Sequence, residues 1–130
     1  MSRDHRKLRV FHDAHSLTLA IYKHTRNFPK DEWFGIRSQI RRAAVSVPSN
    51  LVEGNALSTT RDYLKFLYIA LGSACELKYL VGLSDELGYS VSASNNIPQQ
   101  CIAVVKQLER LTQTMEMEAA AEKEKPDRRP

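Results

Sequence analysis

Ser38-Gln-Ile-Arg-Arg-Ala-Ala-Val-Ser-Val-Pro-Ser-Asn-Leu-Val-Glu-Gly54 is the stretch on which the fold turns. Placed on a helix at about 100° per residue, it separates into faces. Ile36, Ile40, Ala44, Val47 and Leu51 recur at helical spacing and form a seam for burial. Gln39, Arg42, Ser46, Asn50 and Glu53 make a polar row beside that seam, and Arg37, Arg41, Val45 and Val52 make a third face. A simple surface helix has one apolar stripe and a solvated back. An ordered polar row next to the seam points instead to an assembly of helices. Pro48 lies within this stretch, and its missing N–H predicts a helix kinked or ended there.

Working outward, Asp13 reads as the N-cap of a first helix that runs to about Asn27. Its seam is Ala14, Leu17, Ile21, Thr25 and Phe28, with Lys23 and Arg26 pointing elsewhere. Pro29 ends it, because the residue before proline avoids the helical region. Pro29-Lys-Asp-Glu32 opens the second helix, with two carboxylates near the positive end of its dipole. Gly54 and Asn55 close it, and Ser58-Thr-Thr60 supplies the next cap.

The third helix, about 59 to 88, is apolar on two faces. Phe66, Ala70, Ser73, Ala74, Leu77, Leu80 and Val81 form one stripe; Leu64, Tyr68, Leu71, Cys75 and Tyr79 form another, nearly opposite. Either the helix is central in one chain or its second stripe is an oligomer interface. Helices of a four-helix bundle sit at corners, which favours the interface, and Gly72-Ser73 would let a neighbouring backbone approach closely. Glu76 falls beside apolar positions and needs a partner. Arg42 is the expected one, within a structural polar network of Arg42, Ser46, Asn50, Glu53 and Glu76.

Beyond a Ser- and Asn-rich turn from Gly88 to Asn96, Asn96 and Gln99 resemble a capping box with Pro98 in the first turn. The fourth helix then runs to about Met117 on Ile102, Val105, Leu108, Leu111 and Met115. The expected architecture is all-α: a basic N-terminal arm over 1–12, an up-down-up-down antiparallel four-helix bundle over 13–117, and a charged, disordered tail over 118–130.

At 130 residues the chain is one domain that can bury about two thirds of its unfolded surface. Its net charge of +4 and pI near 9.2 permit a nucleic-acid partner without demanding one. Arg3, Arg6, Lys7 and Arg9 make the first residues a basic arm, with no apolar stretch of the kind a secretory signal needs. Apolar runs such as Phe66 to Leu71 are too short to span a bilayer, so no membrane is expected. Cys75 and Cys101 match no C-x-x-C or zinc spacing and read as reduced, buried thiols of a cytoplasmic protein.

Chemistry finds little foothold. No glutamate has a histidine three residues on, as a di-iron bundle requires, and neither a phosphate-binding loop nor a nucleophile elbow is present. His12 and His15 share a helical face without carboxylate or cysteine partners, so surface histidines are expected rather than metal ligands. No catalytic residue, metal or cofactor is therefore assigned.

Leu8-Arg-Val-Phe11, Ala14-His15-x-Leu17 and Ile21-Tyr22-x-x-Thr25-x-x-Phe28-Pro29-x-x-Glu32 are followed by the long motif from Ser38 to Gly54. Phe66-Leu67-x-x-Ala70-x-Gly72-Ser73-x-x-Glu76-Leu77 completes the series. Over about residues 8 to 115 this order resembles the four-helix-bundle proteins encoded in 23S rRNA intervening sequences. The accessory variability protein of diversity-generating retroelements is a relative of that family. The resemblance implies a cyclic homo-oligomer, typically a pentamer, with no known enzymatic activity. In the retroelement branch it implies association with nucleic acid and a reverse transcriptase. Matching positions are Arg41, Arg42, Ser46, Pro48, Asn50, Glu53 and Glu76, whereas Asn55-Ala56-Leu57 departs from the basic residue that many relatives carry there.

Two functional classes follow, with an enzyme set aside for want of any acid–base or metal constellation. One is a ribosomal-protein-like binder of nucleic acid, RNA above all, acting through Lys23, Arg26, Arg37 and Arg41 with the arm as supplement. With no aromatic interleaved among these cations, its contacts should go to phosphates and be largely blind to sequence. The other is a protein-interaction scaffold of the same fold.

Overall fold

The computed structural model describes residues 4, 6, 8–89 and 96–124. Four helices account for most of them: α1 (Arg9–His24), α2 (Ile36–Asn55), α3 (Thr60–Glu86) and α4 (Ile97–Glu124), with a 3-10 turn at Lys30–Glu32. Each helix packs on the next and α4 returns to α1, closing an antiparallel four-helix bundle. No strand occurs among the described residues.

The seams of the first two helices fill the core as their spacing predicts. Ala14, Leu17, Ile21, Thr25 and Phe28 are buried, as are Ile36, Ile40, Ala44, Val47 and Leu51. Burying one such Leu or Ile side chain is worth about 1.5–3 kcal/mol. Thr59 caps α3 by accepting a hydrogen bond from the Asp62 amide (3.1 Å).

Elsewhere the structure corrects the expectations. Helix α1 starts at Arg9, and Asp13 lies inside it instead of capping it. The Asp13 carboxylate accepts a hydrogen bond from Gln107 Nε2 (2.8 Å), so it is used between helices. The buried seam of α4 is Ile97, Cys101, Val104, Leu108 and Thr112; of the expected stripe Leu108 is buried, and Val105, Leu111 and Met115 pack partly buried against the core. Ile102 points outward. Thr112 is tolerated inside because its hydroxyl donates to the Leu108 carbonyl (2.6 Å).

Helix α4 also extends past Met117 to Glu124, through part of the expected tail. Contacts to α3 hold this end of α4: Thr60 Oγ1 donates to Glu122 in the extension (2.8 Å) and Tyr68 Oη to Glu116 just before it (2.9 Å). Most of the Ser/Asn turn, the last tail residues, and Arg3 and Lys7 of the arm lie outside the described residues.

Pro48 does not end α2, which continues to Asn55. The Ala44 carbonyl, deprived of its i+4 partner, faces the Thr18 hydroxyl of α1 at 3.1 Å. Helix α3 is, by length and composition, apolar enough to cross a membrane. Its inner face, from Tyr63 through Leu67, Ala70, Ala74 and Leu77 to Val81, is nonetheless core of the bundle.

Candidate nucleic-acid interface

Residues 23–42 carry six cationic side chains against two carboxylates, a net +4 that equals the formal charge of the entire chain. The remainder of the protein is therefore neutral in sum; five of the six cations lie where α1 ends, the connection turns and α2 begins, and Arg42 faces a second groove against α3.

Here α1 stops at His24, and Thr25 closes it with its amide bonded to the Ile21 carbonyl (3.0 Å). Arg41 reaches across from α2 to this end. Its Nε donates to Thr25 Oγ1 (2.8 Å), its Nη2 to the Tyr22 carbonyl (3.1 Å), and its guanidinium lies 4.6 Å from the centre of the Tyr22 ring. Partial burial, followed by repulsion from Arg37 and Arg26, lowers its pKa from the ordinary arginine value. Arg41 is thus largely engaged in joining α2 to α1. The three arginines interact through space, so the corner concentrates positive charge although its residues are far apart in sequence.

Lys23 and Arg26 are exposed and line a polar groove of about 630 Å³ with His24, Asn27 and Tyr89. Arg37 stacks on Trp33, its guanidinium carbon 4.5 Å from the ring centre, and Lys30 approaches the same ring at 5.9 Å. Trp33 is fixed by its indole N–H, which donates to the Phe28 carbonyl (3.0 Å). Beside it Phe34 stands 97% exposed.

The connection that carries these rings is braced from behind. Tyr89 donates from its hydroxyl to Glu32 (3.1 Å) and packs its ring against Phe28. Glu32 folds back over Gly35, where a Cβ would meet Glu32 Oε1 at 2.7 Å. The carboxylate interaction raises the Tyr89 pKa above the ordinary phenol value. Helix α2 begins next to this turn with no side-chain cap and no acidic residue in its first turn.

Of the four cations selected from sequence, Lys23, Arg26, Arg37 and Arg41 do meet at one end of the bundle, with Arg41 in a mainly structural position. Sequence reading missed Lys30, Trp33 and Phe34. The expectation that no aromatic is interleaved with the cations is corrected, because Tyr22 and Trp33 each lie under a guanidinium. A loop without periodicity hides its aromatics from a search by helical faces. The unbroken Trp33-Phe34 pair between two helical segments was the available signal.

The polar row of α2 faces a second groove, lined by Gln39, Arg42, Ala43, Ser46, Ser73 and Glu76. Ser46 and Ser73 share a hydroxyl–hydroxyl bond (2.7 Å), and Asn50 Nδ2 donates to both the carbonyl and the hydroxyl of Ser46 (2.7 and 3.0 Å). The interior pairing expected for Arg42 and Glu76 is not formed: both are exposed and no ion pair joins them. Open groove walls leave each charge hydrated, so neither needs the other. Glu53 is exposed and does not line the groove.

On α3, Tyr68, Cys75 and Tyr79 face outward, with Tyr79 67% exposed and Ile69 beside them at 51%. Leu71 is half-buried. Leu64, expected in the same interface stripe, belongs to the core at 8% exposure. His12 and His15 pack around Phe11, and no group of three potential metal ligands occurs among the described residues.

No curated protein matches this chain. A crystal structure of a protein of unknown function from the S23 ribosomal protein family of Bacteroides thetaiotaomicron is similar in fold. Its TM-score is 0.71 at 21% identity, over 80% of this chain and 95% of that one. The family model for the 23S rRNA-intervening sequence protein matches residues 6–112, from just before α1 to just past the middle of α4. The chain belongs to the 23S rRNA-intervening sequence protein family.

Proposed function

We propose that the protein is a non-enzymatic, cytoplasmic homo-oligomer that binds nucleic acid, RNA above all, through the basic corner at the α1–α2 connection. The observation that carries this reading is the concentration of the chain's whole net charge in residues 23–42. Lys23, Arg26, Lys30 and Arg37 bind phosphates there, while Arg41 fixes the geometry. The outward ring and aliphatic groups of Tyr68, Ile69 and Tyr79 supply an apolar face for assembly. A ring of copies, five by family resemblance, repeats a modest charge and gains avidity without new contacts.

Fluorescence anisotropy with labelled RNA and DNA of unrelated sequences tests the reading. With about four phosphate contacts to a single strand, affinity falls about fiftyfold between about 50 and about 200 mM salt. Changing Lys23, Arg26 and Arg37 together to Glu weakens binding to every sequence by a similar factor. No binding by the parent at the lower salt refutes it. A scaffold without nucleic acid is the second reading, favoured by the apolar groove between α3 and α4 at Cys75, Tyr79, Gly82, Leu83 and Val105.

A further inference from the structure

We propose that the basic corner selects single-stranded nucleic acid, stacking one unpaired base on Phe34 while Lys23, Arg26, Lys30 and Arg37 hold the flanking phosphates. This rests on the polyanion reading above and adds to it a readout of strand state.

Phe34 is more exposed than any other large hydrophobic side chain described, at 97%. An isolated exposed ring would mean little. This one follows directly on Trp33, whose indole is anchored by hydrogen bond to the Phe28 carbonyl and flanked by Arg37 and Lys30. The connection is pinned to the end of α3 through Glu32 and Tyr89. An open aromatic face on a turn that also carries cations is the combination that single-strand sites use: charge follows the backbone and ring faces take the bases. Charge complementarity identifies the occupant as a polyanion, and an unshielded ring face adds value only if the polyanion has planar groups to offer. Duplex nucleic acid keeps its base faces stacked inside. Stacking accepts any base, so the site remains tolerant of sequence.

Counterion release alone favours the duplex, whose charge density is higher. A preference for single strands therefore has to come from the bases. The test compares three probes of equal length: a single strand with bases, the same strand made of abasic residues, and a duplex. The parent binds the base-bearing strand most tightly, and the emission of Trp33, the chain's one tryptophan, changes with that probe more than with the abasic strand. Phe34→Ala weakens the base-bearing strand about tenfold and leaves the abasic strand unchanged. Phe34→Tyr keeps the parent's selectivity. Because the ring is outside the core, both variants fold.

Equal binding of all three probes, or a Phe34→Ala variant indistinguishable from the parent, overturns the stacking proposal while leaving polyanion binding intact. No binding of any probe at about 50 mM salt overturns both. A Phe34→Ala variant whose mass by light scattering falls while its strand affinity holds assigns the ring to a protein contact, and overturns the proposal too.

Discussion

The hydroxyl of Thr18 lies 3.1 Å from the carbonyl oxygen of Ala44, the acceptor that Pro48 deprives of its helical donor. The same hydroxyl lies 2.8 Å from the Ala14 carbonyl of its own helix, so one proton serves two acceptors. Proline inside a helix ordinarily leaves a carbonyl for solvent to satisfy. Here α1 supplies the donor, and the defect in α2 becomes a point of attachment. Two residues on, Ser46 of α2 joins Ser73 of α3. Polar contacts thus fix α2 to both of its neighbours near the middle of the bundle, where apolar seams alone could slide.

Thr18→Val should accordingly cost about 1–2 kcal/mol, since it leaves the Ala44 carbonyl unpaired while preserving side-chain volume. In a Pro48→Ala background the helix restores its own bond, and Thr18→Val should then cost less by at least about 0.5 kcal/mol. Denaturant unfolding of the four proteins in this cycle measures the difference. Additive costs would mean that the two residues do not share the carbonyl.

How much of this was legible in the sequence depends on the range of the interaction. The α1 and α2 seams and the Thr59 cap are local, and their residues carry them. The Asp13 carboxylate looked like a cap because nothing nearby announces Gln107, 94 positions away. Likewise Glu122 looked like tail until its bond to Thr60 placed it against α3. In the candidate site the cations were legible as residues off the seams. Their division of labour was not, because only the packed bundle brings Arg41 to the end of α1, and only the turn's geometry leaves Phe34 in solvent.

That division predicts different phenotypes for two neighbouring arginines. Arg41→Ala removes two hydrogen bonds from the last turn of α1 and a guanidinium from the Tyr22 face. It should destabilise the protein by about 1.5–3 kcal/mol. Arg37→Ala loses one partly exposed cation–π contact and should cost about 0.5–1 kcal/mol. In strand-binding assays on folded protein the order reverses, with Arg37→Ala the weaker binder. Thermal melts beside anisotropy titrations separate the two effects.

Cys101 sets an alkaline limit on stability. Buried at 1% exposure in α4, its thiol is pushed up from 9.0 to about 11 by desolvation. The folded state keeps its proton where the unfolded state has lost it. Its contribution is full below about pH 9 and disappears as pH rises toward about 11, a loss of about 2–3 kcal/mol. The Tyr68 and Tyr89 phenols, raised by their bonds to Glu116 and Glu32, lose stability in the same direction at high pH. A Cys101→Ala variant should show a flatter pH dependence over that window. In the parent at about pH 8, a thiol reagent should label Cys101 only on unfolding.

Gly54 and Gly72 offer opposite outcomes from the same kind of substitution. A Cβ at Gly54 would stand 3.0 Å from Phe66 Cβ and 3.0 Å from Tyr63 Cδ1. Tyr63 is buried and Phe66 Cβ is held by the α3 backbone, so neither can retreat cheaply. Overpacking of about 1–3 kcal/mol should outweigh the gain of about 1 kcal/mol in helix propensity, and Gly54→Ala should lower the melting temperature. At Gly72 nothing lies within 4 Å of a Cβ in the single chain. Gly72→Leu should therefore leave the bundle folded, with parental helicity by circular dichroism. If copies assemble through the outward face of α3, the added side chain separates backbones that glycine allows to approach, and the mass by light scattering should fall. Tyr79→Glu should lower it as well, by placing charge in a desolvated contact. A parental mass in both variants would put the assembly surface on another face; a monomeric parent at micromolar concentration would remove the oligomer altogether.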